Sequence, residues 1–88
     1  MKETITKLLT EELQPTFLDL RDESTKHADH NPAALAGGTH FDLTIVSEKF
    51  RGKSRVARHQ LIYKILDAQL KGQVHALAIR ALSPEEFS

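Results

Sequence analysis

Ile5, Leu8, Leu9 and Leu13 recur at the spacing of one helix face, with Lys2, Glu3, Lys7 and Glu11 elsewhere on the wheel. The pattern predicts an amphipathic helix over residues 2–13, ended by Pro15. From Thr16 to Asp22 the period changes to two. Leu18 and Leu20 point to one side, Asp19 and Arg21 to the other, as in a half-buried strand. A connection from Glu23 to Gly38 follows, with Asn31-Pro32 and Gly37-Gly38 as turn signals. A loop of this length in a compact domain is usually functional or disordered. Thr39 to Ser47 is the clearest strand, with Phe41, Leu43 and Ile45 on one face and His40, Asp42, Thr44 and Val46 on the other.

Beyond a basic stretch, His59, Ile62, Ile65, Leu66 and Leu70 form the stripe of a helix that ends near Lys71-Gly72. Val74 to Leu82 has little polar interruption and is expected to be a strand buried on both faces. Ser83-Pro84-Glu85-Glu86 supplies an N-cap, a first-turn proline and a capping-box glutamate for a short terminal helix. The order is helix, strand, strand, helix, strand, short helix, without internal repeats. It predicts one α+β domain over residues 1–88, a three-stranded sheet with helices packed on one face.

Composition narrows the function classes. At 88 residues, roughly 60–65% of the unfolded surface is buried on folding, so no disulfide or metal is needed as a staple. Twelve basic and twelve acidic side chains cancel, so no whole-domain field draws the chain to nucleic acid or an anionic membrane. No apolar run approaches the roughly 20 residues of a membrane span, and no signal-peptide core opens the chain. A cytoplasmic location is the expectation.

The chain has five histidines and no cysteine. Without a thiolate it cannot build a cysteine-type zinc site or an iron–sulfur cluster by itself, so a metal bound here needs ligands from another molecule. His27 and His30, spaced His-x-x-His in the long connection, can approach one ion, or can be two ordinary loop histidines. His40 faces away from the Phe41 row. His75 opens an apolar strand, where it is either a hydrogen-bonded core residue or a functional one. His59 shares a stripe with Ile62 and Leu66 and is expected to be packed and hydrogen-bonded. The chain lacks His-Glu-x-x-His and any arguable nucleophile arrangement, and Glu85-Glu86 is explained by helix capping. No enzyme is indicated.

Lys49, Arg51, Lys53, Arg55 and Arg58 run ahead of and into the second long helix. Positive charge at a helix N-terminus opposes the helix dipole, so helix stability does not account for it. Either the run is a solvated turn or it favours a phosphate. Phe50, the single aromatic among these residues, has the register of a core side chain, so base stacking is poorly supported.

Several segments in this order resemble the BolA family: Asp22-Glu23-Ser24 with His27, Thr39-His40-Phe41, Ile45-Val46-Ser47, Phe50-Arg51-Gly52-Lys53-Ser54, Arg58-His59 and Val74-His75-Ala76-Leu77-Ala78-Ile79. The resemblance runs from Ile5 to Pro84 and implies a fold related to the class II KH domain. It also implies partnership with a monothiol glutaredoxin around a shared [2Fe-2S] cluster, for iron–sulfur trafficking or iron-dependent regulation. Glutaredoxin and glutathione would then supply thiolates and this chain the histidine side. The family's C-terminal histidine falls on His75, and the second ligand is one of His27, His30 and His40. DNA binding and transcriptional regulation are the other implied function. The segment resembling the KH clamp, Gly52-Lys53-Ser54-Arg55, lacks the second glycine, leaving Lys53, Arg55 and Arg58 as phosphate contacts. Apart from these partners the chain is expected to be a monomer or a weak dimer.

Overall fold

The computed structural model describes residues 1–23, 40–72 and 74–87. Helix α1 spans Lys2–Leu13 and buries Ile5, Leu9 and Leu13, the predicted stripe. It stops because Gln14 turns left-handed at φ 46° and returns its N–H to Thr10 O at 3.0 Å. Pro15 then prevents continuation. Thr16 N–H bonds Val46 O at 2.9 Å, starting strand β1 (Phe17–Asp22) against β2 (His40–Val46).

The sheet has the order β1-β2-β3, with β3 at Ala76–Leu82. β1 and β2 pair antiparallel, while β2 and β3 pair parallel. A parallel pair needs a crossover, which helix α2 (Arg55–Ile65) and helix α3 (Asp67–Lys71) provide. The predicted α+β architecture, a three-stranded sheet with its helices over the apolar face, is the one observed. Phe41, Leu43 and Ile45 are buried on that face, in register with Leu77, Ile79 and Ala81, and they pack with Ile5, Leu9, Ile62 and Leu66.

Two expectations are corrected. The helix predicted to run unbroken to Lys71-Gly72 turns at Leu66 (φ −100°, ψ 19°) and resumes as α3. Leu66 is wholly buried at this bend, and the chain reverses after α3 as Val74 N–H bonds Gln69 O at 3.1 Å. β3 is not buried on both faces. It is an edge strand, with Ala76, Ala78 and Arg80 exposed on the open side of the sheet. Its apolar run reflects two alanines rather than a second layer of core.

Two local devices position the segment between β2 and α2. Ser47 is fully buried, and its hydroxyl donates to Leu13 O at 2.6 Å, satisfying a carbonyl that the end of α1 leaves unpaired. The same oxygen accepts Lys49 N–H at 3.1 Å, while Ser47 N–H bonds Leu82 O at 3.0 Å. One serine thus joins α1, β3 and the 3-10 turn at Glu48–Phe50. Phe50 is a core residue, as its register predicts. Gly52 then takes φ 77°, and Ser54 caps α2 by accepting Ala57 N–H at 3.1 Å.

Candidate functional site

The first candidate site lies where β2 and β3 begin. His40 pairs in register with Ala76, so His75 comes just before the strand partner of His40. The two rings stand 6.0 Å apart between centroids, with planes at 75°. His40 is half-buried on the face opposite the Phe41 row, and His75 is exposed. That exposure rules out the hydrogen-bonded core reading of His75. His27 and His30 lie outside the described residues, so the structure relates neither of them to this pair.

A metal-bound imidazole puts its ring centre roughly 3 Å from the ion, so two rings on one ion stand about 5 Å apart at a tetrahedral angle and about 6 Å apart only when directly opposed. The His40–His75 separation is at that outer limit. The described residues contain no group of three or more His, Cys, Asp or Glu side chains that could hold a metal. The described residues therefore form no closed metal site among themselves, and a metal held at this pair would need its other ligands from elsewhere.

The second candidate site is a cleft of about 550 Å³ between α2 and the outer edge of β3, walled by Lys53, Arg55, Arg58, His59, Arg80 and Glu86. Lys53 and Arg55 are exposed, and none of the ion pairs among the described residues engages them. Arg58, one of the predicted phosphate contacts, is instead turned inward. Only 9% exposed, it donates from Nη1 to Ala81 O at 3.0 Å and to the Glu86 carboxylate at 2.6 Å. The Ala81 contact also caps a carbonyl on an unpaired sheet edge, which discourages strand addition there.

Arg51 is likewise committed, to Glu48 at 2.8 and 3.0 Å and to Glu85. The Arg51 hydrogen bond holds the Glu48 carboxyl below its ordinary value. Lys49 lies apart, on the rim of a separate groove of about 480 Å³ with Leu8, Glu12, Leu61 and Lys64. The five-residue basic run is thus divided by the fold: of its members only Lys53 and Arg55 offer uncommitted charge to the cleft, where Arg80 of β3 joins them. His59, expected to be packed and hydrogen-bonded, is half-buried on the cleft wall instead.

Two members of this cleft escaped the sequence reading. Arg80 is a lone cation in an apolar strand, which already signals an open face. Glu86 reads as a capping residue, and it is one: its Oε1 accepts Ser83 N–H at 2.7 Å. That backbone hydrogen bond, reinforced by the Arg58 guanidinium, lowers its pKa to about 2. Its second role, as the counter-ion of Arg58, depends on tertiary contact.

The two sites are separated along β3. His75 and Ala81 are six strand positions apart, roughly 20 Å at the rise of an extended chain. Among the described residues, no helix is long and apolar enough to cross a membrane.

Comparison with known proteins agrees with this architecture. A family model described as BolA-like protein matches residues 9–86. The BolA domain of SufE1 from Arabidopsis thaliana superposes with a TM-score of 0.86 at 46% identity, covering 96% of this chain and 92% of that one. In sequence, the chain is 46% identical over 86 residues to SufE-like protein 1, chloroplastic/mitochondrial, of the same plant, covering 93% of this chain and 23% of that protein. BolA-like protein 1 of Mus musculus is 40% identical over 79 residues, 90% of this chain and 55% of that protein. The chain thus spans only part of either relative. A relative from Vibrio cholerae named DNA-binding transcriptional regulator BolA is 37% identical over 87 residues, 99% of this chain and 78% of that protein. The chain belongs to the BolA-like protein family.

Proposed function

We propose that this chain is a non-enzymatic partner of a monothiol glutaredoxin, sharing with it a [2Fe-2S] cluster used in iron–sulfur trafficking or iron-dependent regulation. The observation that carries this reading is the His40–His75 pair at 6.0 Å, open to solvent on one side. His75 supplies one nitrogen ligand. His40 is the second by proximity, with His27 and His30 as the other candidates. The glutaredoxin and glutathione supply the thiolates this chain lacks. When bound, the cluster supplies electron-transfer and iron–sulfur exchange chemistry, and this chain's residues hold and orient it.

The ligand chemistry supports sharing. Imidazole in place of thiolate on one iron raises a cluster's reduction potential. A half-exposed pair of rings leaves room for the partner to close the shell. The test is native mass spectrometry of the chain mixed with a cluster-loaded monothiol glutaredoxin and glutathione. A one-to-one complex carrying two irons is expected, and separate proteins at every ratio would refute the reading. The expected compartment is the cytoplasm.

A second reading rests on the cleft. Lys53, Arg55 and Arg80 crowd one groove in a chain of zero net charge, and a relative carries the name of a DNA-binding regulator. In this reading the cleft grips phosphates, with Lys53 and Arg55 as the principal contacts. Binding should then weaken steeply with salt, because each neutralised phosphate releases counter-ions. Reversing the charge at Lys53 and Arg55 should reduce both affinity and salt slope. Affinity for DNA that is unchanged in the doubly reversed variant would remove the reading.

A further inference from the structure

The cleft contains its own anion. Glu86 is the single acid among its lining residues, and it meets Arg58 at 2.6 Å. The Arg58 guanidinium is not fully satisfied even so, because its Nε is buried without an acceptor. The Glu86 side chain remains 47% exposed, so an incoming anion can reach the carboxylate it would replace.

Glu86 belongs to helix α4 (Pro84–Phe87), four residues long. A helix that short has no stability of its own. Three side-chain contacts hold it against the body: Glu85 to Arg51, Glu86 to Arg58, and Phe87 stacked on Phe17 with centroids 4.9 Å apart. Both ion pairs are at least partly open to water, where such pairs contribute little individually.

We propose that the cleft binds the phosphodiester backbone of a nucleic-acid strand by exchange: a phosphate replaces the Glu86 carboxylate on Arg58, and α4 shifts away from the cleft as Glu86 is released. This inference rests on the nucleic-acid reading of the cleft. It adds a specific role for the C-terminal turn, because the tethered carboxylate competes at high effective concentration with any incoming phosphate. Arg58 stays paired with an anion throughout, first Glu86 and then phosphate, so its buried charge is never left uncompensated. Lys53, Arg55 and Arg80 favour the phosphate over the carboxylate because they line the same groove.

The experiment compares the wild-type chain with Glu86→Gln, using fluorescence anisotropy of a labelled DNA oligonucleotide, single-stranded and as a duplex, at low salt. Glutamine keeps the oxygen that accepts Ser83 N–H, so the capping box survives while the charge is lost. Glu86→Gln is expected to bind about fivefold more tightly, the equivalent of roughly 1 kcal/mol. In the wild type, the amide signals of Ser83, Glu86 and Phe87 are expected to shift with those of Lys53 and Arg80 as DNA is added. Equal affinities, with Lys53 shifting and Ser83–Phe87 unmoved, would overturn the exchange and leave the cleft reading standing. Binding by neither protein would overturn both.

Discussion

His40 and His75 are far apart in the chain, yet their rings stand 6.0 Å apart and nearly perpendicular at the opening edge of the sheet. The parallel register that pairs His40 with Ala76 creates this proximity. A slip of one residue would turn His40 to the core face, so the pair depends on the buried row of Phe41, Leu43 and Ile45.

Because His75 is exposed, His75→Ala is expected to change stability by no more than about 0.5 kcal/mol. Urea denaturation measures this. A loss of several kcal/mol would return His75 to the core role that its exposure argues against.

Ser47→Ala removes a fully buried hydroxyl that satisfies Leu13 O and Lys49 N–H at once. A cost of roughly 1–3 kcal/mol is expected, since a buried partner is left without its hydrogen bond. Hydrogen exchange should show the loss concentrated at the end of α1 and the start of the 3-10 turn. Unchanged stability would mean that the local packing does not need this junction.

At Gly52 the constraint is conformational and not spatial. A Cβ there would meet nothing within 4 Å, but the backbone lies at φ 77°. Gly52→Ala should cost roughly 1–2 kcal/mol, and Gly52→Asn less, because asparagine tolerates the left-handed region. Equal thermal denaturation midpoints for the two variants would contradict the assignment.

Glu86 sets an acid limit. Its carboxyl is lowered from the usual 4.5 to about 2, first by the Ser83 N–H and then by Arg58. A folded-state pKa below the unfolded value gives stability that is fully present above 4.5 and lost as pH falls towards about 2. An NMR titration of the side-chain carboxyl should therefore show a midpoint near 2. A midpoint near 4.5 would mean that the contacts with Ser83 and Arg58 do not persist in solution.

Much of this arrangement could be read along the chain, because some signals are local. The stripe of Ile5, Leu9 and Leu13 places α1, the alternation from His40 to Val46 places β2, and Ser83-Pro84-Glu85-Glu86 contains its capping box within four letters. What escaped is set by partners distant in sequence. Val74 to Leu82 reads as doubly buried, since hydropathy counts Ala76 and Ala78 as apolar, yet those alanines face the open side of an edge strand. Arg58 reads as one more cation in a basic run, and only the approach of β3 and α4 brings it to Ala81 O and Glu86. His59 fits the helical stripe, but the stripe does not say that it borders a cleft. The resemblance singled out His75 and left its companion open among three histidines. The β2–β3 register supplies a neighbour in His40.

The most direct test of the central claim is visible circular dichroism of a cluster-loaded monothiol glutaredoxin titrated with this chain and with its His75→Ala and His40→Ala variants. The wild type is expected to change the cluster's spectrum to a new form that saturates at one equivalent. His75→Ala should fail to produce that form while remaining folded, and His40→Ala should weaken it. A spectrum unaltered by the wild-type chain, or altered equally by wild type and His75→Ala, would contradict the claim that this histidine pair completes a shared cluster.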